Sequence, residues 1–161
     1  MTIIGSMRRI DDTRGAVRVE DLYDTDIEDL WRACTEPERL ARWIGEVAGD
    51  LRPGGIVRSS WTSGWSGPAR IDACEPPRHL RLTSDPGTDG ETQIEAWLTP
   101  EGERTRLVVE ERGLPVAELP AHGAGWQAHL EDLARPLVGL PSLWEDRWNE
   151  LISAYQDACV A

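Results

Sequence analysis

The sequence predicts an α+β fold in which an antiparallel sheet is covered by one long helix near the C-terminus. A strand-like segment and two short helical segments come first, five strand-like segments follow, and a long stretch of helical periodicity comes last. Short strands separated by turns indicate an antiparallel sheet, and an apolar sheet face needs a cover. We therefore expect a six-stranded sheet wrapped around the long helix, with two short helices and an extra terminal helix.

Size and charge narrow the classes of protein that fit. The chain has 161 residues, 40% of them hydrophobic, which predicts a single folded domain over 1–161 with one core. The formal net charge is -12, and the arginines are scattered without a basic stripe. Binding to phosphates needs clustered cations, so we expect no nucleic-acid partner.

The cysteines and the N-terminus add two further expectations. Cys34, Cys74 and Cys159 lie far apart without a CxxC spacing, so neither a disulfide framework nor a zinc site is expected. No apolar stretch resembles a secretion signal or a membrane span, so we expect no membrane insertion and a cytoplasmic location. Met7 is an alternative to Met1 as the natural start.

The first third of the chain contains one strand and two short helices. Alternating Val17 and Val19 predict a strand over Ala16–Leu22, and helical spacing predicts a helix over Asp26–Cys34. The tetrapeptide Thr35-Glu36-Pro37-Glu38 is typical of a capping box and predicts a second short helix directly afterwards.

Five strand-like segments with turn residues between them form the middle of the chain. They are Ile56–Trp61, Ala69–Cys74, His79–Thr83, Thr92–Leu98 and Thr105–Arg112. Adjacent residues of a strand point to opposite faces. Glu110 and Glu111 therefore cannot act as a pair, and Glu111 shares the face of Leu107 and Val109.

The last third predicts the long helix, over His122–Val138. Its apolar stripe consists of Trp126, Leu130, Leu133 and Leu137. Leu140-Pro141 ends it, and a second capping box at Ser142 opens a terminal amphipathic helix over 142–158. The core of the domain is expected within 16–138.

Five segments carry a resemblance to a known family. They are WRACTEPERLARW, DLRPGG, EPPRHL, TRLVVEERG and GWQAHLEDL, in this order between Trp31 and Leu133. The chain resembles the helix-grip or START-like fold of the SRPBCC superfamily, and within it the bacterial proteins named after the activator of Hsp90 ATPase. The resemblance spans roughly Ala16 to Leu137.

The resemblance implies several functions. Members of the superfamily bind hydrophobic small molecules, some are polyketide cyclases or aromatases, and the eukaryotic namesake stimulates a chaperone ATPase. Two features depart from the family pattern: Ile44 stands where an aromatic residue is common, and the hairpin SWTSGWSG carries Trp61 and Trp65.

We expect a cavity between the sheet and the long helix. The candidate ligand-binding residues are Trp43, Trp61, Trp65, Glu95, Trp97, Trp126 and His129. His129 flanks the apolar stripe, so it either faces the cavity, where it could bind a ligand or move a proton, or lies at the helix edge. No catalytic residue is assigned, because no partner base is visible at a matching spacing.

The function predicted from the sequence is binding of a small hydrophobic ligand in this cavity. The alternatives are a cyclase- or dehydratase-like enzyme and a chaperone-regulating interaction module. His122 is expected in a loop or cap and His79 at the surface, and no metal or cofactor is expected. The apolar face of the terminal helix either packs on the domain or forms a homodimer contact.

Overall fold

A single antiparallel sheet of eight strands dominates the computed structural model, which describes residues 2–135 and 142–158. The strand order is β1-β2-β8-β7-β6-β5-β4-β3. The strands are β1 Gly5–Arg9, β2 Arg14–Tyr23, β3 Gly45–Gly49, β4 Ile56–Trp61, β5 Ser66–Glu75, β6 His79–Ser84, β7 Thr92–Glu101 and β8 Arg104–Pro115. The α+β class is confirmed, but the prediction of six strands is wrong.

Two strands were missed because their sequences lack the usual alternation. β1 reads GSMRR, with one hydrophobic residue, and pairs with β2. β3 reads GEVAG and pairs with β4. Gly45 begins β3 with φ +148°, and a Cβ there would collide with the backbone of Ser60. Glycine thus permits a close backbone approach here, although in a sequence it indicates a turn.

Four α-helices complete the fold within the described residues. They are α1 Ile27–Thr35, α2 Pro37–Leu40, α3 Leu119–Ala134 and α4 Trp144–Asp157, and a 3-10 turn over Val116–Glu118 precedes α3. The long helix therefore begins three residues before its predicted start at His122. Pro120 lies in its first turn, where proline costs no hydrogen bond.

Both predicted capping boxes are wrong in detail. The hydroxyl of Thr35 donates to the carbonyl of Trp31 (2.8 Å), and Glu36 is the N-cap residue of α2 without a side-chain bond. In α4 the N-cap residue is Leu143. Ser142 Oγ instead accepts from the Trp144 N–H (3.0 Å) and donates to Asp132, which links the start of α4 to α3.

The helix α3 is buried on two sides, which explains why its sequence is apolar nearly all round. Trp126 and Leu130 belong to the main core with the sheet, and α3 packs against β1 and β2. Ala124 and Ala128 face α4, where they contact Leu151 and Tyr155. The apolar face of α4 is thus covered by α3, as the first of its two predicted roles requires.

The position of α3 leaves the other half of the sheet without a long helix. Over β3 to β6 the cover comes from α2 and the turn that follows it, with Leu40, Trp43 and Ile44 buried in the main core. A separate apolar cluster of Val57, Ala69 and Ile71 lies on β4 and β5. Two adjoining cavities lie in the space between these two covers.

Some predictions concern residues outside the described part of the chain. These are the end of the long helix at Val138, Leu137, the Leu140-Pro141 break and Cys159. The single domain over 1–161, with its core at 16–138, therefore stays a prediction. No helix among the described residues is long and apolar enough to cross a membrane.

Candidate functional site

Two adjoining spaces lie between the sheet and its helices. The inner cavity has a volume of about 100 Å³, and its wall is almost entirely apolar, with Leu40, Val57, Ile71, Leu82, Ala96 and Leu107 among its lining residues. The outer cleft is larger, about 710 Å³. Its aromatic wall consists of Trp61, Trp65, Trp126, Trp144, Trp148 and His129, and its polar groups include Arg14, Asp85, Asp89, Glu111, Glu118 and His122.

Three tryptophans belong to both spaces. Trp61, Trp65 and Trp126 line the inner cavity and the outer cleft. The ring of Trp61 lies 5.1 Å from that of Trp65 and 5.5 Å from that of Trp126, both with edge-to-face geometry. Such pairs are favourable beyond their buried area. The three rings therefore form a boundary between an apolar interior and a mixed cleft.

The β4–β5 hairpin positions the first two of these rings. The Trp61 N–H donates to the carbonyl of Trp65 (2.8 Å), and Gly64 closes the turn with φ +97°. The Trp65 indole N–H donates to Asp85 (3.0 Å). By contrast, the indole N–H of Trp61 is buried and has no acceptor among the described residues. Buried donors are rarely left so.

His129 lies in α3 at the wall of the cleft and is 2% exposed. Its Nδ1 is 2.9 Å from the carbonyl oxygen of Trp43, and its ring centroid lies 5.5 to 5.7 Å from those of Trp61, Trp126 and Trp144. Removal from water lowers the pKa of His129 to about 4, although the bond to Trp43 acts in the opposite direction. The imidazole is therefore neutral at physiological pH.

Glu111 is a buried carboxylate at the other end of the cleft. It accepts from the indole N–H of Trp126 (2.9 Å) and the hydroxyl of Thr92 (2.7 Å), and it lies 3.3 Å from Nδ1 of His122. Burial alone would raise the pKa of Glu111, but the hydrogen bond and charge of His122, with these two donors, lower it. Its side chain is therefore ionised.

His122 is placed in α3 rather than in the loop or cap that the sequence predicts. Burial alone would lower its pKa, but the hydrogen bond and charge of Glu111 and the charge of Glu118 raise it. Sequence reasoning missed both His122 and Glu111 as site residues. Pro120 could have indicated the position of His122, because proline is common in the first turn of a helix. A helix predicted to begin near Pro120 would have included His122.

Trp144 and Trp148 were also missed as cleft residues. They stand one turn apart in α4 with centroids 6.2 Å apart and stacked. The indole N–H of Trp144 donates to the carbonyl of Gly125 (2.8 Å), and that of Trp148 to the carbonyl of Ala121 (2.9 Å). Their i, i+4 spacing predicted a shared face. It carried no information on which surface that face would meet.

The seven sequence-predicted site residues divide into two groups. Trp43, Trp61, Trp65, Trp126 and His129 line the two spaces. Glu95 and Trp97 lie on the opposite face of β7 from Ile94 and Ala96, which line the inner cavity. Their inclusion in the cavity is therefore not supported by the structure, because alternate residues of a strand face opposite sides.

Glu95 and Trp97 belong to an ion-pair network on the outer face of the sheet. Glu95 lies 2.5 Å from Nε2 of His79 and 2.8 Å from Arg112. The guanidinium of Arg18 lies 5.7 Å from the Trp97 ring centroid, a cation–π contact. On the inner side, the indole N–H of Trp43 donates to the carbonyl of Ala33 (2.9 Å), which fixes this ring at the cavity wall.

Among residues 2–135 and 142–158, no group of three or more His, Cys, Asp or Glu side chains could hold a metal ion. The outer cleft combines an aromatic wall with the ion pairs of His122 to Glu111 and Glu118.

Comparison with solved structures finds the same architecture in other proteins. CalU16 from Micromonospora echinospora is 26% identical, with a TM-score of 0.74 over 96% of this chain and 95% of that chain. DynU16, from the dynemicin biosynthetic locus, is 29% identical, with a TM-score of 0.70 over 82% of this chain and 49% of that chain. A protein of unknown function from Enterococcus faecalis, EF2215, is 17% identical with a TM-score of 0.72 over 96% and 91%, which shows the fold alone.

Sequence comparison gives the family. None of the curated proteins compared with the chain matches its sequence. Residues 24–137, which are most of the chain, match the model of the family described as Activator of Hsp90 ATPase homolog 1-like protein. The resemblance seen in the sequence motifs is thereby confirmed, and the chain belongs to the Activator of Hsp90 ATPase homolog 1-like family.

Proposed function

We propose that the protein binds a small hydrophobic ligand with an aromatic ring system in the outer cleft. The observation that carries this proposal is the set of five tryptophan rings and one neutral imidazole around a space of about 710 Å³. Ligand sites are typically concave, largely apolar and about 300–1,000 Å³ in volume. The inner cavity provides an apolar extension behind Trp61, Trp65 and Trp126 for a small substituent.

The alternative reading of the tryptophans as ordinary core explains less of the arrangement. Trp61, Trp65, Trp144 and Trp148 are all partly exposed at the cleft. Partly exposed aromatic rings clustered at one cleft are typical of binding surfaces. One structural relative comes from a biosynthetic locus, which is also consistent with a small-molecule ligand.

Native mass spectrometry of the protein purified from its own host tests the proposal directly, because a bound ligand adds its mass to that of the chain. We expect a co-purifying compound of a few hundred daltons. Aromatic probes should in addition quench tryptophan fluorescence with saturation. A host-purified protein free of any ligand that also fails to respond to aromatic and aliphatic probes would contradict the proposal.

A matched pair of substitutions tests the contribution of the inner cavity. Ala96→Leu places a larger side chain on the cavity wall, whereas Ala48→Leu adds the same side chain at an exposed position of β3. We expect Ala96→Leu to weaken binding of the ligand or to select a smaller one. Ala48→Leu should leave affinity unchanged, and equal effects would argue against the cavity.

A cyclase- or dehydratase-like enzyme is the second candidate, and the ion pair of His122 and Glu111 favours it. Both residues line the cleft, and a carboxylate-held imidazolium is able to donate a proton to a bound substrate. Turnover of an aromatic precursor that is lost in His122→Gln, with binding retained, would support this function. Binding without any turnover supports the first.

A chaperone-regulating role needs an exposed apolar patch. The exposed large hydrophobic residues of the described chain lie apart in the sequence: Ile10 in the β1–β2 turn, Ile56 in β4 and Leu143 just before α4. The apolar face of α4, which was the surface suggested for a homodimer, is occupied by α3. We propose the cytoplasm as the location, and a single domain, on the grounds given by the sequence.

A further inference from the structure

His129 has one ring nitrogen without a partner. Its Nδ1 lies 2.9 Å from the Trp43 carbonyl oxygen, while Nε2 makes no hydrogen bond to any described residue. The side chain is 2% exposed, and the small exposed part faces the outer cleft. Since His129 lines the outer cleft, a ligand bound there is able to supply the partner of Nε2.

The tautomer of His129 determines what that group must be. A carbonyl oxygen only accepts hydrogen bonds, so the proton must reside on Nδ1. In the neutral ring Nε2 then carries a lone pair and can only accept. Since the pKa of His129 is lowered to about 4, the ring stays in this form throughout the physiological range, and it is a weak base for proton transfer.

Trp61, next to His129, has a hydrogen-bond donor without an acceptor. Its indole N–H is buried without an acceptor among the described residues, and its ring centroid lies 5.6 Å from that of His129, with the ring planes at 86°. An unsatisfied acceptor and an unsatisfied donor therefore lie in neighbouring rings of the same wall. A hydroxyl group has one donor hydrogen and two acceptor lone pairs, so it complements both.

We propose that the ligand of the outer cleft carries a hydroxyl on its aromatic ring system, which donates to Nε2 of His129 and accepts from the indole N–H of Trp61. This inference rests on the proposed binding function and specifies the chemistry of its ligand. His129 is thus a specificity residue: it distinguishes a hydroxylated ring from an otherwise similar ring without a donor.

Other head groups fit the two rings less well. A carbonyl or ether oxygen offers no hydrogen to Nε2. An ammonium group has no lone pair and therefore cannot accept from the indole N–H of Trp61. An anionic head would meet the carboxylates of Asp85, Asp89 and Glu118 along the cleft. A neutral hydroxyl has none of these costs.

Isothermal titration calorimetry with two matched probes tests the inference. 2-Naphthol carries the hydroxyl, and 2-methoxynaphthalene has the same rings and oxygen without a donor. We expect 2-naphthol to bind roughly five- to tenfold more tightly, as one hydrogen bond to a neutral acceptor provides. Equal affinities, or tighter binding of the ether, would overturn the role of His129 while leaving the aromatic site intact. Failure of both probes to bind would count against the proposed site itself.

The variant His129→Phe keeps an aromatic ring and removes the acceptor. We expect the ratio of the two affinities to fall to about one. Trp61→Phe removes a donor that both oxygens are able to accept from, so it should weaken both probes and leave the ratio nearly unchanged. His79→Gln replaces a histidine on the outer face, where it bonds Glu75 and Glu95, and should leave the ratio unchanged. A ratio preserved in His129→Phe would overturn the inference.

A second readout uses the unaltered protein and so does not depend on the variants folding. In a long-range ¹H–¹⁵N spectrum, the Nε2 resonance of a neutral Nδ1–H histidine is that of an unprotonated nitrogen. We expect this resonance to move upfield when 2-naphthol is added and to stay in place with 2-methoxynaphthalene. An Nε2 signal that responds to both probes alike would show that the hydroxyl does not reach it.

Discussion

Two histidines two turns apart in α3 line the same cleft but occupy opposite electrostatic environments. At one end His122 lies 3.3 Å from the buried carboxylate of Glu111 and 3.6 Å from Glu118, and these charges raise its pKa. At the other end His129 is bonded to a carbonyl and surrounded by tryptophans, and loss of water lowers its pKa to about 4. One end is an ion pair, and the other is neutral.

The difference arises because residues of one helix contact different neighbours along its length, which gives the two ends of the cleft different charges. Near its start, His122 and Trp126 of α3 contact Glu111 of β8, which shares the face of Leu107 and Val109 and so points inward. Farther along, α3 faces the segment after α2, where the Trp43 carbonyl is available and no carboxylate bonds the ring. Trp126 joins the two ends, since it bonds Glu111 and contacts His129.

The largest expected effect comes from removing the carboxylate at the charged end. Glu111→Ala leaves His122, the Trp126 indole N–H and the Thr92 hydroxyl without their acceptor in a buried place. Leaving the buried donors of Trp126 and Thr92 unpaired costs about 1–3 kcal/mol of unfolding free energy for each. Urea denaturation at neutral pH measures it.

The control for this substitution is Glu101→Ala, which removes the exposed partner of Arg106 on the β7–β8 hairpin. It should leave the urea midpoint close to that of the unaltered protein, because exposed ion pairs are screened by water. If Glu111→Ala were as mild as Glu101→Ala, the charged end would not be the ion-paired centre that its contacts indicate.

The second prediction concerns the neutral end and is a dependence on pH. Because the folded pKa of His129 is about 4, against an ordinary value of 6.5, the unfolded chain binds a proton that the folded chain refuses. Stability should therefore fall as pH drops from about 6.5 to 4, by about 3 kcal/mol for this group. His129→Phe removes the titrating ring and should flatten this part of the curve.

Urea midpoints of both proteins at several pH values between 7 and 4 give the comparison. The difference between the two curves matters rather than either slope, because the carboxylates titrate in both proteins. Parallel curves would mean that His129 takes up its proton as readily in the folded state as in the unfolded one. The ring would then not be the neutral acceptor on which the hydroxyl inference depends.

The neutral end is also the part of the site that the sequence predicted best. Trp126 and His129 follow from the helical period of α3, and their approach to a cavity follows from the resemblance to the family. Trp61 and Trp65 stood out because two tryptophans in a glycine-rich hairpin had no evident place in the core. Local pattern was sufficient for these residues, because the helix and the hairpin are set by nearby sequence.

The charged end and the α4 tryptophans could not be predicted in the same way. Whether Glu111 or Glu95 faces inward depends on which face of the sheet α3 covers. The sequence of a single strand does not indicate which of its two faces is covered. Periodicity placed Trp144 and Trp148 on one face of a helix but not on the cleft. The strands β1 and β3 were missed for a related reason: pairing with β2 and β4 holds them, rather than their own hydrophobic pattern.

The smallest predicted effect, and the one with the opposite sign, belongs to His122. Its folded pKa is raised, so its pairing with Glu111 stabilises the protein fully below pH 6.5 and is lost as pH rises through the raised value. At low pH the contribution ends when Glu111, whose pKa is lowered from 4.5, takes up a proton. His122→Gln should therefore cost no more than about 1 kcal/mol near pH 6, because the side chain is 38% exposed, and nearly nothing above the raised pKa.

Urea midpoints at pH 6 and pH 9 measure the difference, which should shrink as pH rises. A cost that grew with pH would mean that His122 is held neutral like His129, and the two ends of the cleft would then be alike.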